Sequence, residues 1–151
     1  MASTTVTLAD LPGLVGRDLG FSEYLEITQE RINTFADATD DHQYIHVDPE
    51  RAKDGPFGEP VAHGFLTLSL AIPLWGSLLD VSDSKTKVNY GLDRVRFVSP
   101  VPVGSKIRMS AVVASVTEVA GGFQIGVDQV IEIEGGVKPA VVAHSLYRFY
   151  A

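Results

Sequence analysis

The stretch "GFLTLSLAIPLWGSLL", residues 64–79, decides the predicted fold. It contains no Asp or Glu and is apolar almost all round. It is interrupted by Pro73 and is shorter than the ~20 residues that cross a bilayer, so no membrane span is predicted. We interpret it as a helix from about His63 to Leu79. Such a helix must be enclosed on most sides, so the sequence predicts a fold built around it.

Strands that could enclose this helix follow it in the chain. Alternating apolar and polar residues predict strands, and two Gly pairs predict hairpin turns between them. The strand segments are residues 85–100, 105–119, 122–135 and 138–151, and the Gly pairs are 121–122 and 135–136. Gly91 is predicted to lie at a bulge. These signals indicate one α+β domain, residues 1–151, in which a curved antiparallel sheet wraps around the central helix.

The first 60 residues carry more helix signals than strand signals. Residues 1–15 are interpreted as a loose arm, and residues 16–28 as a short strand with irregular flanks. Thr28 is a candidate N-cap for an amphipathic helix over residues 29–39. The Asp-Pro pair at residues 48–49 then predicts a second helix of one to two turns.

The composition is that of a soluble globular protein. The 151 residues include no Cys, and the net charge is −7. The lack of Cys fits a reducing cytoplasm, where we expect the protein, and the acidic balance argues against nucleic-acid binding. Six of the twelve basic residues lie within residues 85–108. This basic strip could receive a phosphorylated small molecule, or its charges could simply face solvent.

A dense group of acids and histidines stands at the end of the first predicted helix. It reads "DDHQYIH", residues 40–46. On an ideal helix Asp41 and His46 would lie about 140° apart, so they meet only if the chain leaves the helix between them. A carboxylate and an imidazole held together can take a proton from one water molecule and return one. An acidic, solvated helix end is the alternative interpretation.

A second segment, "VAHGF", residues 61–65, opens the central helix. The first amides of a helix have no internal partner and lie at the positive end of its dipole. Gly64 would let an oxygen approach its N–H closely, which is the geometry of an oxyanion hole. The alternative is that Gly64 only eases the turn into the helix. His63 and His144 are interpreted as structural, because one begins a helix and the other lies in the last strand.

A zinc site is the third interpretation of this region. His42 and His46 are spaced i, i+4, with Asp48 nearby. That spacing needs a continuous helix, whereas the cap at residues 48–49 predicts a break. No metal is therefore predicted.

Together the two motifs resemble the MaoC-like branch of the hotdog superfamily, the R-specific enoyl-CoA hydratases. The signature of that family is Gly-Asp-x-Asn-Pro-Leu/Ile-His at a helix end, followed by Ala/Val-His-Gly at the start of a central helix. Residues 40–46 and 61–65 match these motifs, and "NYGLDRVRFVSPVPVGS", residues 89–105, is similar to a sheet segment of a subgroup that includes nodulation-protein-N-like sequences. The resemblance implies a hotdog fold.

The resemblance also implies roles for individual residues. Asp41 and His46 fall on the catalytic pair of the family, and Gly64 falls on its backbone oxyanion donor. The expected substrate contacts are Gln43, Tyr44, His63, Tyr90 and Gly91. Asp40, Gln43 and Tyr44 replace the Gly, the Asn and the Pro or Trp that the family usually has, which leaves pH optimum and substrate fit open.

The implied activity is water addition to a trans-2-enoyl-CoA, giving a (3R)-hydroxyacyl-CoA. No cofactor is expected, because CoA is part of the substrate; its phosphates are placed near Lys85, Lys87, Arg94 or Arg96. One alternative is a hotdog thioesterase, which usually carries Asp or Glu on the central helix. Another is a non-catalytic acyl-CoA-binding protein. An apolar edge strand predicts a homodimer with edge-to-edge sheets.

Overall fold

A long antiparallel sheet and five short helices form the structure, a computed structural model that describes residues 2–151. The strands are β1 (Thr4–Val6), β2 (Asp18–Phe21), β3 (Leu25–Glu26), β4 (Leu79–Val81), β5 (Thr86–Phe97), β6 (Lys106–Val119), β7 (Gly122–Ile133) and β8 (Val141–Tyr150). The helices are α1 (Gln29–Thr39), α2 (Tyr44–Val47), α3 (Pro49–Ala52), α4 (Gly64–Ser69) and α5 (Ala71–Gly76). The predicted α+β class is confirmed.

The main sheet has the order β2-β6-β7-β8-β5, and β3 also pairs with β6. All its pairs are antiparallel, and β6, β7 and β8 are joined by the two predicted hairpins. Gly121 and Gly135 adopt φ values of 82° and 74° at these turns, a backbone conformation that glycine tolerates best. The register shifts between Asn89 and Gly91, so the predicted bulge in β5 is confirmed. Strand β5 forms one edge of the sheet.

The central helix is not continuous, which corrects the helix predicted from His63 to Leu79. It is divided into α4 and α5 at Leu70, and Leu79 already belongs to β4. Pro73 explains the division, because it lacks the N–H that would bond to the carbonyl of Ser69 four residues earlier. The enclosure is also incomplete. Phe65 is 69% exposed and Ile72 is 44% exposed, so one face of the central helices lacks cover in the single chain.

The N-terminal arm is part of the core, so the prediction of a loose arm was wrong. Residues Leu8–Leu14 form a 3-10 helix whose Leu11 and Leu14 are buried. Strand β1 pairs in parallel with β4, which directly follows α5. The apolar residues of the arm are too few to give a periodic signal. The arm is also held by hydrogen bonds to distant residues, such as that from Ser3 Oγ to the carbonyl of Leu78, 75 positions later.

The core lies between the inner face of the sheet and the central helices. Trp75 of α5 stacks on Tyr147 of β8, with ring centroids 5.1 Å apart. The hydroxyl of Tyr147 accepts a hydrogen bond from Gln129 Nε2 at 2.9 Å, so this buried polar group is satisfied. Burial raises the pKa of Tyr147 above its usual value. None of the helices within residues 2–151 has the length and apolar character needed to cross a membrane.

Candidate active site

The end of α1 places Asp41 outside the helix. Thr28 caps the other end of this helix by accepting a hydrogen bond from the N–H of Arg31, as predicted. At the C-terminal end, Asp40 adopts a left-handed conformation with φ 59° and ψ 22°. Gly is the usual residue there, and Asp is one of the few others that tolerate it. The reversal at Asp40 turns the chain, so Asp41 leaves the helix axis.

The short helix α2 carries His46 to the same place. The ring of His46 is buried, and its Nδ1 lies 2.6 Å from the carbonyl oxygen of Val61. A carbonyl oxygen can only accept, so Nδ1 carries the proton and Nε2 keeps its lone pair. The N–H of Val61 in turn bonds to the carbonyl of Ile45 at 2.9 Å. These two bonds fix α2 against residue 61 and leave Nε2 of His46 as a base.

The start of α4 completes the cluster. His63 is the N-cap residue, but its side chain does not cap the helix. Its Nε2 instead lies 2.9 Å from the carbonyl oxygen of Asp41, and its ring stacks on His46 with centroids 3.9 Å apart. Gly64 is the first helical residue, so its N–H has no acceptor within the helix and contributes to the positive end.

Asp41, His46 and His63 each bring one ligand-type atom to within 4.8 Å of the other two. Two hydrogen bonds of ~2.8 Å to one water oxygen place their partner atoms about 4.6 Å apart at a tetrahedral angle. The separation of the Asp41 carboxylate from a His46 nitrogen therefore suits one shared water molecule. Helix α1 ends at Thr39 and α2 begins at Tyr44, so Asp41 and His46 do not lie on one continuous helix, as the predicted meeting of these residues requires.

An apolar cavity of about 350 Å³ adjoins His46 and Gly64. Its walls come from α2, from the segment after α3 through α4, from the end of β5 and the residues that follow it, and from the start of β8. The lining residues are Ile45, His46, Phe57, Val61, Ala62, Gly64, Thr67, Phe97, Val98, Ser99, Pro100, Val101, Ala140 and Val141. The Phe97 ring lies against Gly64, where a Cβ would come within 3.3 Å of three ring carbons. An apolar chain would fit here with its polar end beside His46.

Burial lowers the pKa of His63 below the usual value for histidine. The nearby His46 acts in the same direction, whereas the hydrogen bond to the Asp41 carbonyl and the Asp41 charge oppose it. His63 is therefore neutral at pH 7. Its Nδ1 is buried and has no hydrogen-bond partner among residues 2–151.

Other predicted site residues lie apart from this cavity. The guanidinium of Arg51 lies over the Tyr44 ring, 4.2 Å from the ring centroid. The guanidinium of Arg148 lies over the Tyr90 ring in the same way, at 3.6 Å. Among the described residues, the cavity lining includes neither Tyr44 nor Tyr90, and it includes neither Gln43 nor Gly91. Their contact with substrate stays a prediction.

The three candidate zinc ligands, His42, His46 and Asp48, do not lie on one helix face. His42 is exposed, and its Nε2 lies 2.9 Å from the carboxylate of Asp37. His46 directs Nδ1 to a carbonyl, and the side chain of Asp48 caps α3 by accepting from Arg51 N. His42 precedes α2, which begins at Tyr44, so no continuous helix joins His42 to His46.

The basic residues within 85–108 do not form one strip, because four lie on or next to β5 and the other two, Lys106 and Arg108, lie on β6, which is not a neighbour of β5. Lys87 already pairs with Asp80 at 2.7 Å, and Arg96 donates to the carbonyl of Val95. Within residues 2–151, the cavity next to His46 is lined by no Lys or Arg. The placement of CoA phosphates near Lys85, Lys87, Arg94 or Arg96 stays a prediction.

Sequence reasoning missed the residues that shape the cavity. Phe57 lies in a loop punctuated by Gly and Pro, and Phe97 lies at the end of an edge strand. An aromatic residue in a Gly- and Pro-rich loop was the available signal for Phe57. The role of the Val61 carbonyl in orienting His46 had no signal, because every residue has a carbonyl.

Known proteins have similar sequences and similar folds. The family model for the MaoC like domain matches residues 10–134. The chain belongs to the MaoC-like dehydratase family. It is 48% identical to 3-hydroxyacyl-thioester dehydratase Z of Mycobacterium tuberculosis over 98% of this chain and 99% of that protein. It is 43% identical to Nodulation protein N of Rhizobium leguminosarum, over 92% and 88% of the two chains.

Solved structures confirm the hotdog fold. The (R)-hydratase from A. caviae involved in PHA biosynthesis superposes with a TM-score of 0.72 and 24% identity, over 88% of this chain and 94% of that one. A MaoC-like dehydratase from Rhodospirillum rubrum gives a TM-score of 0.71 and 18% identity, over 91% and 93%. With this family membership, the protein is an enzyme, a hydro-lyase of the MaoC type, and the predicted family and enzyme class are confirmed.

Proposed function

We propose that this MaoC-like dehydratase interconverts a trans-2-enoyl-CoA and a (3R)-3-hydroxyacyl-CoA by adding or removing water. One observation carries the proposal. The carboxylate of Asp41 lies within 4.8 Å of His46, whose ring lines an apolar cavity that Gly64 also lines. This arrangement offers a place for water, an acid–base pair and a backbone donor around one small volume.

The reaction follows from where charge develops. The oxygen of water attacks C3, the C2–C3 π electrons move toward the thioester, and negative charge builds on the thioester oxygen. The N–H of Gly64 would donate to that oxygen at the positive end of α4. Nε2 of His46 and the Asp41 carboxylate would hold the water, take its proton and return one to C2. The step needs no metal or redox cofactor.

The substrate class rests on the relatives and on the cavity. The relative from Mycobacterium tuberculosis is named for 3-hydroxyacyl thioesters, and the A. caviae neighbour is named an (R)-hydratase. The cavity walls are mostly aliphatic and aromatic, so they suit the acyl part of such a thioester. We place the thioester carbonyl at Gly64 and the acyl chain toward Val101 and Val141.

The product of crotonyl-CoA hydration is expected to have the R configuration at C3, because the chain is similar to the A. caviae (R)-hydratase. The site itself supports the one-sided addition. Asp41 and His46 lie on one short segment, so they act from one face of the flat enoyl group. Water and proton therefore add to the same side. The test follows loss of the enoyl-thioester absorbance, then couples the product separately to (3R)- and (3S)-selective 3-hydroxyacyl-CoA dehydrogenases. Signal from the S-selective enzyme alone would contradict the proposed pose.

The same assay separates the two alternative functions. A thioesterase would release free CoA, which a thiol reagent detects, without forming hydroxyacyl-CoA. The absence of Asp and Glu from residues 64–79 disfavours that outcome. Saturable binding of crotonyl-CoA with neither product would indicate a non-catalytic acyl-CoA-binding protein.

We also propose a homodimer joined through β5. This twelve-residue strand forms a sheet edge with unpaired backbone groups, and Val88, Tyr90 and Leu92 are exposed along it. Phe65 and Ile72 of the central helices are exposed as well. Pairing of two β5 strands would satisfy the edge and cover these apolar side chains.

Light scattering is expected to give twice the 16.3 kDa chain mass at micromolar concentrations. Leu92→Lys places a charge on the proposed interface, so it should shift the mass toward the monomer. Val137→Lys is the matched control, because Val137 is fully exposed at the β7–β8 turn. A monomeric wild-type protein, or equal behaviour of the two variants, would rule out this interface.

A further inference from the structure

We propose that His63 is a positioning residue that locks Asp41 and His46 into one geometry; its kinetic consequence rests on the proposed function. The position of His63 at a helix start predicted a structural role, and the family resemblance placed it among the expected substrate contacts. Its contacts in the structure go instead to the two residues of the acid–base pair, one through a hydrogen bond and one through ring stacking.

The hydrogen bond fixes the backbone of Asp41. This residue follows the left-handed Asp40, at a point where the α1 hydrogen-bond ladder has ended. The carbonyl of Asp41 accepts from Nε2 of His63 at 2.9 Å, across 22 residues of chain. The bond links the end of α1 to the start of α4, so it holds Asp41 next to His63.

The stacking fixes the plane of the His46 ring. The bond from Nδ1 to Val61 holds one edge of that ring, but the ring could still rotate about the bond. His63 lies parallel to it within 24°, at a centroid distance of 3.9 Å. His63 is itself supported by the ring of Phe35, 4.9 Å away. Together these contacts leave one direction for Nε2 of His46.

His63 suits this position only while it is neutral. When His46 takes a proton from water, a charged ring at 3.9 Å would repel it, whereas a neutral aromatic face accommodates it. Burial favours the neutral form of His63, and the groups that face it are His46, Asp41 and the more distant His42. Donation from Nε2 also fixes the tautomer, because the proton is then absent from Nδ1.

The buried Nδ1 atom argues against a purely structural role. A residue chosen only to begin a helix would be Ser, Thr, Asp or Asn, which cap the first amides. His63 does not cap α4, and it buries a nitrogen that has no partner within residues 2–151. A buried nitrogen without a hydrogen-bond partner lowers stability, so its presence next to the acid–base pair indicates that the His63 ring serves that pair.

A metal shared by Asp41, His46 and His63 is the competing use of this cluster, since their ligand-type atoms lie within 4.8 Å of one another. The lone pairs of imidazole nitrogens lie in the ring plane. Two rings stacked within 24° direct their lone pairs side by side rather than toward one point. Nε2 of His63 is also committed as a donor to Asp41. The geometry therefore favours positioning over metal binding.

Three variants test the role by kinetics. His63→Phe keeps the stacked ring and loses the donor, His63→Gln keeps a donor and loses the ring, and His63→Ala loses both. We expect kcat to fall about 10- to 100-fold in His63→Ala, the scale of a misplaced catalytic group, with KM within about threefold and smaller losses in the other two. His144→Gln, a histidine change outside the cavity, is the control and should keep wild-type kcat. Wild-type kcat in all three folded variants would overturn the proposal.

Nitrogen NMR of the histidine rings tests the same geometry without turnover. In the wild-type protein, His63 should be the Nε2–H tautomer and His46 the Nδ1–H tautomer, with proton–proton contacts between the rings. His63→Ala should leave His46 in the Nδ1–H tautomer, because Val61 still accepts from it, but the ring should rotate about that bond and its side-chain signals should broaden. A wild-type His63 protonated on Nδ1, or an unchanged His46 in the variant, would overturn the proposal. If wild-type protein turns over no thioester but shows these tautomers, the proposed function fails and the positioning geometry stands.

Discussion

Asp41→Asn and His46→Gln are each expected to lower kcat at least ~100-fold, the scale of losing one acid–base group. Asn keeps the shape of the Asp41 side chain but cannot accept a proton from water. Gln removes the lone pair that the bond to Val61 leaves on Nε2 of His46. KM should change much less, because the apolar cavity that would hold the acyl chain is untouched.

Matched controls for this pair lie within the same segment. Asp37→Asn makes the same chemical change on the exposed face of α1, and His42→Gln does so for the histidine that pairs with Asp37. Both should keep kcat within a few-fold of wild type in crotonyl-CoA hydration. Near-wild-type turnover in soluble Asp41→Asn and His46→Gln would remove these two residues from the mechanism.

Local features of the fold were predictable from the sequence because their causes are local. Thr28 caps α1 through the N–H of a residue three positions later. The Asp48 side chain accepts from Arg51 in the same way, and this cap ends α2 and begins α3. Glycines 121 and 135 mark the two hairpins, since their left-handed conformations favour glycine.

Features that depend on distant residues were not predictable in this way. The arm at residues 2–15 is ordered by contacts with residues 77–83, about 75 positions later, and its own sequence does not show them. The break at Leu70 has a local cause, Pro73, but the apolar run at residues 64–79 was nevertheless interpreted as one helix. Apolar periodicity counts side chains, whereas the break arises from a missing backbone N–H at Pro73.

The candidate site also has features that were predictable from local sequence and features that were not. The sequence motif identified Asp41, His46 and Gly64, and the structure brings all three to one place. The position of His63 between them depends on the packing of α1, α2 and α4, which no segment encodes alone. The cavity walls come from four separate parts of the chain, residues 45–46, 57–67, 97–101 and 140–141. Motifs therefore identified candidate residues, and tertiary structure was needed for the geometry of the site.

The proposed oxyanion donor is a backbone group, so a side-chain deletion cannot test it. Proline can, because it removes the N–H and is well tolerated at the first position of a helix. Gly64 occupies that position in α4. The preceding residue, His63, has φ −58° and ψ 139°, an extended conformation that a following proline accepts. Gly64→Pro should therefore leave α4 intact while deleting one donor.

Gly64→Pro is expected to lower kcat by about 100- to 1,000-fold, the usual effect of losing one oxyanion-hole donor. Gly64→Ala is the matched control, because both changes add a Cβ that meets the Phe97 ring at 3.3 Å, but Ala keeps the N–H. Phe97 is 49% exposed and can shift, so Gly64→Ala should lose less than about tenfold. The measurement is crotonyl-CoA hydration, with thermal melting to verify the fold. Equal losses in the two variants would mean that crowding against Phe97, and not the Gly64 N–H, controls the rate.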